Sequence, residues 1–129
     1  MNILLDTHLL LWAAGAPERL SAKARSLVLA TDSRLFFSAA SLWEITIKHG
    51  LGRTDFSVDP RRLWRMLLIN GYTELAINAE HTTRVNELPS IHKDPFDRML
   101  IAQARVEGMV LLTVDRIVAR YGEIGRAHV

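Results

Sequence analysis

A chain of 129 residues with 16 Lys plus Arg against 14 Asp plus Glu carries a formal charge of +2, and with 49% hydrophobic and 23% charged residues it has the composition of an ordinary globular domain. That excludes disordered, collagen-like and coiled-coil chains, and a chain of this size buries roughly two thirds of its unfolded surface, enough for one core and not for two. The absence of cysteine excludes disulfides, thiolate zinc sites, iron–sulfur clusters and a cysteine nucleophile, so any metal must be held by oxygen or imidazole.

In chain order, Ile3-Leu4-Leu5 is an all-apolar run ending at Asp6, which fits a strand covered on both faces of a parallel sheet. Residues 7–14 read as a short helix closed by Gly15 and Pro17, and Ser21 as the N-cap of a helix reaching about residue 30. Leu35-Phe36-Phe37 is the next strand and ends at Ser38; residues 41–49 form a helix that Gly50 and Gly52 terminate. Past a polar connection over 51–59, Pro60 opens a helix to about residue 70. Leu75-Ala76-Ile77 is a weaker strand, followed by a helix over 79–88. Asp94 caps a strong helix over Pro95–Glu107, Gly108 stops it, and residues 109–113 are the clearest strand in the chain. A last helix spans 115–121, and residues 122–129 are either a frayed tail or a short edge strand.

This alternation predicts an α/β fold, with right-handed crossovers and helices on both faces of a parallel sheet. No repeat or linker divides it, so residues 1–129 are expected to form a single domain. There is no run of about 18 apolar residues. The opening residues lack a basic start and place Asp6 where the apolar segment of a signal peptide would lie. The expectation is a cytoplasmic protein with no membrane contact.

Four acids stand out by position: Asp6, Glu44, Asp97 and Asp115. Each of the last three has an ordinary capping explanation. Ser41 and Glu44 have capping-box spacing, with Lys48 in reach of Glu44 as an i,i+4 ion pair; Asp94 and Asp97 repeat that spacing, and Asp115 suits the N-cap of the last helix. Asp6, at the end of a buried strand, has no capping duty that the sequence reveals. Ligands of parallel sheets bind beyond the carboxyl ends of the strands, where strand-end and helix-start acids meet. Several carboxylates gathered there would raise one another's pKa unless a cation intervened, and an all-oxygen set favours Mg²⁺ or Mn²⁺ over zinc. Such a centre suits hydrolysis of phosphodiesters by a metal-activated water. Setting four of the 14 acids aside leaves ten against 16 basic residues, a positive surface fit for nucleic acid.

Residues 3–8, the segment from Ser38 to Ile45, the run His92-Lys93-Asp94-Pro95-Phe96-Asp97-Arg98 with Ala102-Gln103-Ala104 after it, and Leu112-Thr113-Val114-Asp115 resemble the successive motifs of the PIN domain, in particular VapC-like toxins of type II toxin–antitoxin systems. The resemblance runs over roughly residues 2–121, and Asp-Pro-Phe-Asp-Arg is its most specific part. It implies a three-layer α/β/α sandwich, Mg²⁺- or Mn²⁺-dependent endoribonuclease activity, a homodimer and a VapB-like antitoxin that blocks the site. It also implies that Asp6, Glu44, Asp97 and Asp115 are the catalytic, metal-binding acids.

Around them, Thr7 and Ser41 are placed to hydrogen-bond neighbouring carboxylates, and Thr113 to orient Asp115 unless it is β-strand filler. Lys48, Arg98 and Arg116 are the candidates for phosphate contact. The five histidines, His8, His49, His81, His92 and His128, lack metal spacing and read as surface or structural, with His92 alone near the site. Arg61, Arg62 and Arg65 flank Trp64 on one helix, either as a grip on RNA backbone with an aromatic platform or as the solvated side of a core Trp64, and residues 9–12 are apolar enough to include partner surface. Phosphatases of the haloacid-dehalogenase type would need a second Asp where His8 stands, and response-regulator receivers a late strand-end lysine. The alternative of a different class is a non-catalytic PIN-like module that binds RNA or protein.

Overall fold

The structure is a computed structural model that describes residues 1–121. Four strands, β1 (Asn2–Leu5), β2 (Arg34–Ser38), β3 (Thr73–Leu75) and β4 (Val110–Leu112), form a sheet of order β3-β2-β1-β4 in which every pairing is parallel. The chain winds outward from β1 to β3 and then returns to the other side of β1. Its switch point, where a doubly wound sheet binds ligands, therefore lies between β1 and β4.

Successive strand residues point to opposite faces, and the apolar interior divides accordingly. Ile3, Leu5, Phe37 and Leu112 belong to one cluster, Leu4, Phe36 and Leu111 to the other. The single core expected from chain length is thus one interior split by the sheet. The first cluster takes its helical share from α1 (Thr7–Gly15), α2 (Ala22–Leu29) and α4 (Pro60–Ile69); the second takes most of its share from α6 (Pro95–Glu107). Between them, α3 (Ala39–Gly50) gives Ile45 to one side and Ala40 to the other. The short helices α5 (Ala79–Arg84) and α7 (Arg116–Ala119) complete a three-layer α/β/α arrangement, as expected.

The predicted punctuation holds at Ser21, Asp94 and Asp115, each of which caps a helix through its side chain, and at Gly108, whose φ of 68° ends α6 in the left-handed region. Four expectations change. The weak strand lies at Thr73–Leu75 instead of 75–77, because pairing with Phe36, Phe37 and Ser38 sets its register, while its own residues are largely exposed and carry little apolar signal. The helix over 79–88 stops at Arg84 and continues as a 3₁₀ turn over Val85–Glu87. The connection over 51–59 is not merely polar: Thr54–Phe56 form a 3₁₀ turn that buries Phe56 completely. Trp64 is 39% exposed and donates to Glu74, so Leu63 and Leu67 carry the core face of α4 instead. The tail at 122–129 lies outside the described residues. Among the described residues no helix is long and apolar enough to cross a membrane.

Candidate metal centre

The carboxyl ends of β1, β2 and β4 carry a block of buried polar groups: Asp6, Thr7, Ser38, Ser41, Glu44 and Thr113. Among the described residues every fully buried side-chain polar atom has a hydrogen-bond partner. The block is therefore built, and its wiring follows from how the strands run into helices.

β1 passes into α1 through Asp6 alone. This gives Asp6 the capping duty that the sequence did not reveal: its Oδ1 accepts from Leu9 N–H at 2.9 Å. Oδ2 takes the Thr113 hydroxyl at 2.6 Å and the Val114 N–H at 3.0 Å, tying β1 to the end of β4 across the switch point. Burial pushes the Asp6 carboxyl upward against these bonds.

β2 likewise enters α3 without a loop. The helix begins at Ala39, capped by Ser38, so Ser41 is inside its first turn and the expected Ser41–Glu44 capping box does not form. The Thr7 hydroxyl donates to Glu44 Oε1 at 2.7 Å and lies 3.2 Å from the Ser41 hydroxyl, within hydrogen-bond reach. Lys48 pairs with Glu44 Oε2, the expected i,i+4 contact. Released from capping, Glu44 is 4% exposed and held by a hydroxyl and an ammonium.

At the start of α6, Asp94 Oδ1 accepts from Phe96 and Asp97 N–H, but Asp97 does not return the bond. The Asp94 N–H goes to His92 Nδ1 at 3.0 Å. A ring nitrogen that accepts an N–H carries no proton, so the proton of the His92 ring sits on Nε2. Nε2 lies 3.0 Å from Asp97 Oδ2 and 3.2 Å from Asp115 Oδ2. The Oδ1 of Asp115 meanwhile caps α7. His92, Asp97 and Asp115 thus present ligand atoms all within 4.8 Å of one another, whereas Asp6 and Glu44 lie outside that tight group.

Electrostatics nevertheless join Asp6 and Glu44 to Asp97. Burial first, then the charges of Asp94, Glu44 and Asp6, push the Asp97 carboxyl up to about 7, with His92 opposing the rise. Asp115 moves the other way: its partial burial is outweighed by hydrogen bonds from His92, Ile117 and Val118, which hold it below the usual range. An N–H between two carboxylates does part of what a cation would do there. A hard donor set with one imidazole at its edge suits Mg²⁺ or Mn²⁺.

His92, expected near the site, stands there, and its ring nitrogen groups with Asp97 and Asp115 although the histidines show no metal spacing in the sequence. The signal in the sequence was its place two residues before the Asp94 cap, where a loop side chain can take the cap's own N–H. His81 is structural, being fully buried and forming a reciprocal cap with Asn78. Thr113 orients Asp6 through its hydroxyl while accepting the Asp115 N–H at 3.0 Å. Sequence reasoning did not single out Gln103, whose carbonyl accepts the Ser38 hydroxyl from the opposite helix.

Arg98 is engaged within the chain. Its guanidinium donates to the carbonyls of Val85 at 2.8 Å and of Pro89 and His92 at 3.2 Å, so it staples the loop that carries His92 and is spoken for before any phosphate arrives. Arg98→Ala is expected to lower the unfolding free energy by about 2 kcal/mol in urea denaturation, since it leaves carbonyls without their charged donor. Stability equal to that of the wild type would return Arg98 to the substrate. Arg116 is exposed beside Asp115, and Leu9 and Leu10 of α1 are buried, leaving only Leu11 and Trp12 half-covered.

An α/β sandwich with an acid centre at the switch point of a parallel sheet is the class that fold and site define. The PIN domain family model matches residues 3–124, and the chain belongs to that family. Its fold is similar to that of VapBC2 from Rickettsia felis, solved bound to a DNA fragment from its promoter, at 17% identity and TM-score 0.67 over 95% of this chain and 94% of that one. It is also similar to VapC20 of Mycobacterium tuberculosis, a Sarcin-Ricin loop cleaving toxin, at 18% identity and TM-score 0.59 over 97% and 94%. At these identities the likeness is one of fold. No curated protein matches the chain in sequence.

Proposed function

We propose that this chain is a divalent-metal-dependent endoribonuclease acting as the toxin of a type II toxin–antitoxin pair. The observation that carries the reading is the convergence of ligand atoms from His92, Asp97 and Asp115 within 4.8 Å of one another at the ligand-binding edge of the sheet, where burial and the charges of Asp94, Glu44 and Asp6 raise the Asp97 carboxyl. Lys48 covers Glu44, but Asp97 has no fixed ammonium or guanidinium against it in the contacts described, and acids left so at a ligand-binding edge are arranged for an ion that comes and goes.

Asp6, Glu44, Asp97 and Asp115 are the proposed ligands, with His92 beside them. A divalent ion bound there supplies an activated water and positive charge against the phosphodiester. The chain's own residues do the positioning: Thr113 and Val114 hold Asp6, Thr7 and Lys48 hold Glu44, and the amides of α7 hold Asp115. Exposed Arg116 and Lys93 lie beside the centre as phosphate contacts. A VapB-type antitoxin and a second copy of the chain are the proposed partners, supported by the fold likeness and by exposed Ile47 on α3 and Leu68 and Ile69 on α4. The proposed setting is the cytoplasm.

Purified, partner-free protein is expected to degrade single-stranded RNA with Mg²⁺ or Mn²⁺, to stop in EDTA, and to bind RNA more weakly as salt rises, because phosphate contacts release counterions. Cleavage that survives EDTA would overturn metal dependence. Failure to cleave any RNA in either metal would favour a non-catalytic binding module.

A further inference from the structure

Two aromatic residues stand directly beside the acids and take no part in holding them. Trp43 precedes Glu44 on α3, and Phe96 precedes Asp97 on α6. Their rings meet edge to face, with centroids 5.3 Å apart and planes at 78°, bridging the two helices at the point where Glu44 and Asp97 feel each other's charge. Phe96 is half-buried, yet Trp43 remains 60% exposed. An indole that touches its neighbour at one place and is left 60% exposed does little for the core. Such an exposed aromatic next to charged machinery marks contact with something that has a π face.

Resting on the reading of the centre as a ribonuclease, we propose that Trp43, backed by Phe96, is a stacking platform for an unpaired RNA base next to the scissile phosphate. Two features favour RNA over a protein segment. The ring pair flanks the acids themselves, where a phosphodiester must lie if it is to be cut, so the base attached to that phosphate comes within reach. Lys93 and Arg116 are both exposed, one next to His92 in the chain and the other next to Asp115, so cations suited to a phosphate backbone adjoin the acids as the aromatic pair does. The platform selects single-stranded RNA, because a base inside a duplex already has both faces covered.

The test uses the full-length chain with Trp12→Phe and Trp64→Phe, leaving Trp43 as the only indole, in an Asp6→Asn background that stops turnover. A single-stranded RNA of about 12 nucleotides is expected to quench Trp43 emission. An abasic oligomer of the same length and the same sequence as a duplex are expected not to. Trp43→Ala should weaken binding of the single strand about 10- to 100-fold, and Trp43→Phe should restore most of it. With Asp6 intact, Trp43→Ala should raise KM about tenfold with little change in kcat. Equal quenching by the abasic oligomer, or unchanged RNA affinity in Trp43→Ala, would overturn the platform and leave the ring pair to a protein partner. The two readings fail separately: a chain that cleaves without base-dependent quenching keeps the nuclease and loses the platform, and one that quenches without cleaving in any metal does the reverse.

Discussion

In metal-free buffer at pH 8, Asp97→Asn is expected to resist urea better than the wild type, while binding Mn²⁺ at least about tenfold more weakly and cleaving RNA at least about 100-fold more slowly. The sign follows from linkage. In the unfolded chain an Asp ionises near about 3.9, whereas in the folded protein Asp97 holds its proton to about 7. Between those values the native state binds more protons, so the stability that Asp97 contributes is complete below about pH 4 and is lost as pH rises to about 7. Above that, the ionised carboxylate costs the metal-free fold on the order of 2–4 kcal/mol, the lower figure allowing for the 21% of its side chain that water still reaches. Wild type should therefore lose stability from pH 5 to pH 8, the Asn variant should lose much less, and saturating Mn²⁺ should restore the wild type alone. An Asn variant less stable than wild type at pH 8 would show Asp97 to be a structural carboxylate.

Most of the architecture was legible because parallel strands buried on both faces leave uninterrupted apolar runs, and Ile3-Leu4-Leu5 and Val110-Leu111-Leu112 sit in adjacent register. The exception, β3, is an edge strand whose exposed residues need no apolar pattern. Asp97 as the crowded acid was also within reach, since its place on α6 aims it at the strand ends. What local spacing did not reveal was which of two equivalent hydrogen bonds forms. Ser41 and Glu44 have capping-box spacing, but β2 runs into α3 without a loop and Ser38 reaches the first free amide sooner. Asp94 and Asp97 have it too, but His92 takes the returning bond. Arg98 reads as a phosphate contact beside an acid, and the structure adds that carbonyls from three separate residues converge on it as a staple. These outcomes depend on groups brought together from distant parts of the chain.

Asp6→Ala should have the opposite effect on the metal-free fold, lowering its unfolding free energy by about 1–3 kcal/mol, together with a loss of cleavage of at least about 100-fold. Both aspartates sit where burial raises the pKa, so charge alone would predict the same sign for both. They differ in their partners. Asp97 feels the charges of other acids and has His92 at 3.0 Å, whereas Asp6 accepts from Leu9, Val114 and Thr113. Truncation removes the cap of α1 and the acceptor that the Thr113 hydroxyl and the Val114 amide share, and that loss exceeds the relief of one buried charge. Asp6→Asn keeps an oxygen for Leu9 but offers an amine where Val114 needs an acceptor, so it should recover part of the stability and none of the cleavage. Urea midpoints of the three proteins in EDTA, read beside their RNA cleavage in Mn²⁺, decide the matter. If Asp6→Ala proved as stable as Asp97→Asn, the donors around Asp6 would not be offsetting its buried charge. The switch point would then be strained at both of these acids, rather than built on one and primed by the other.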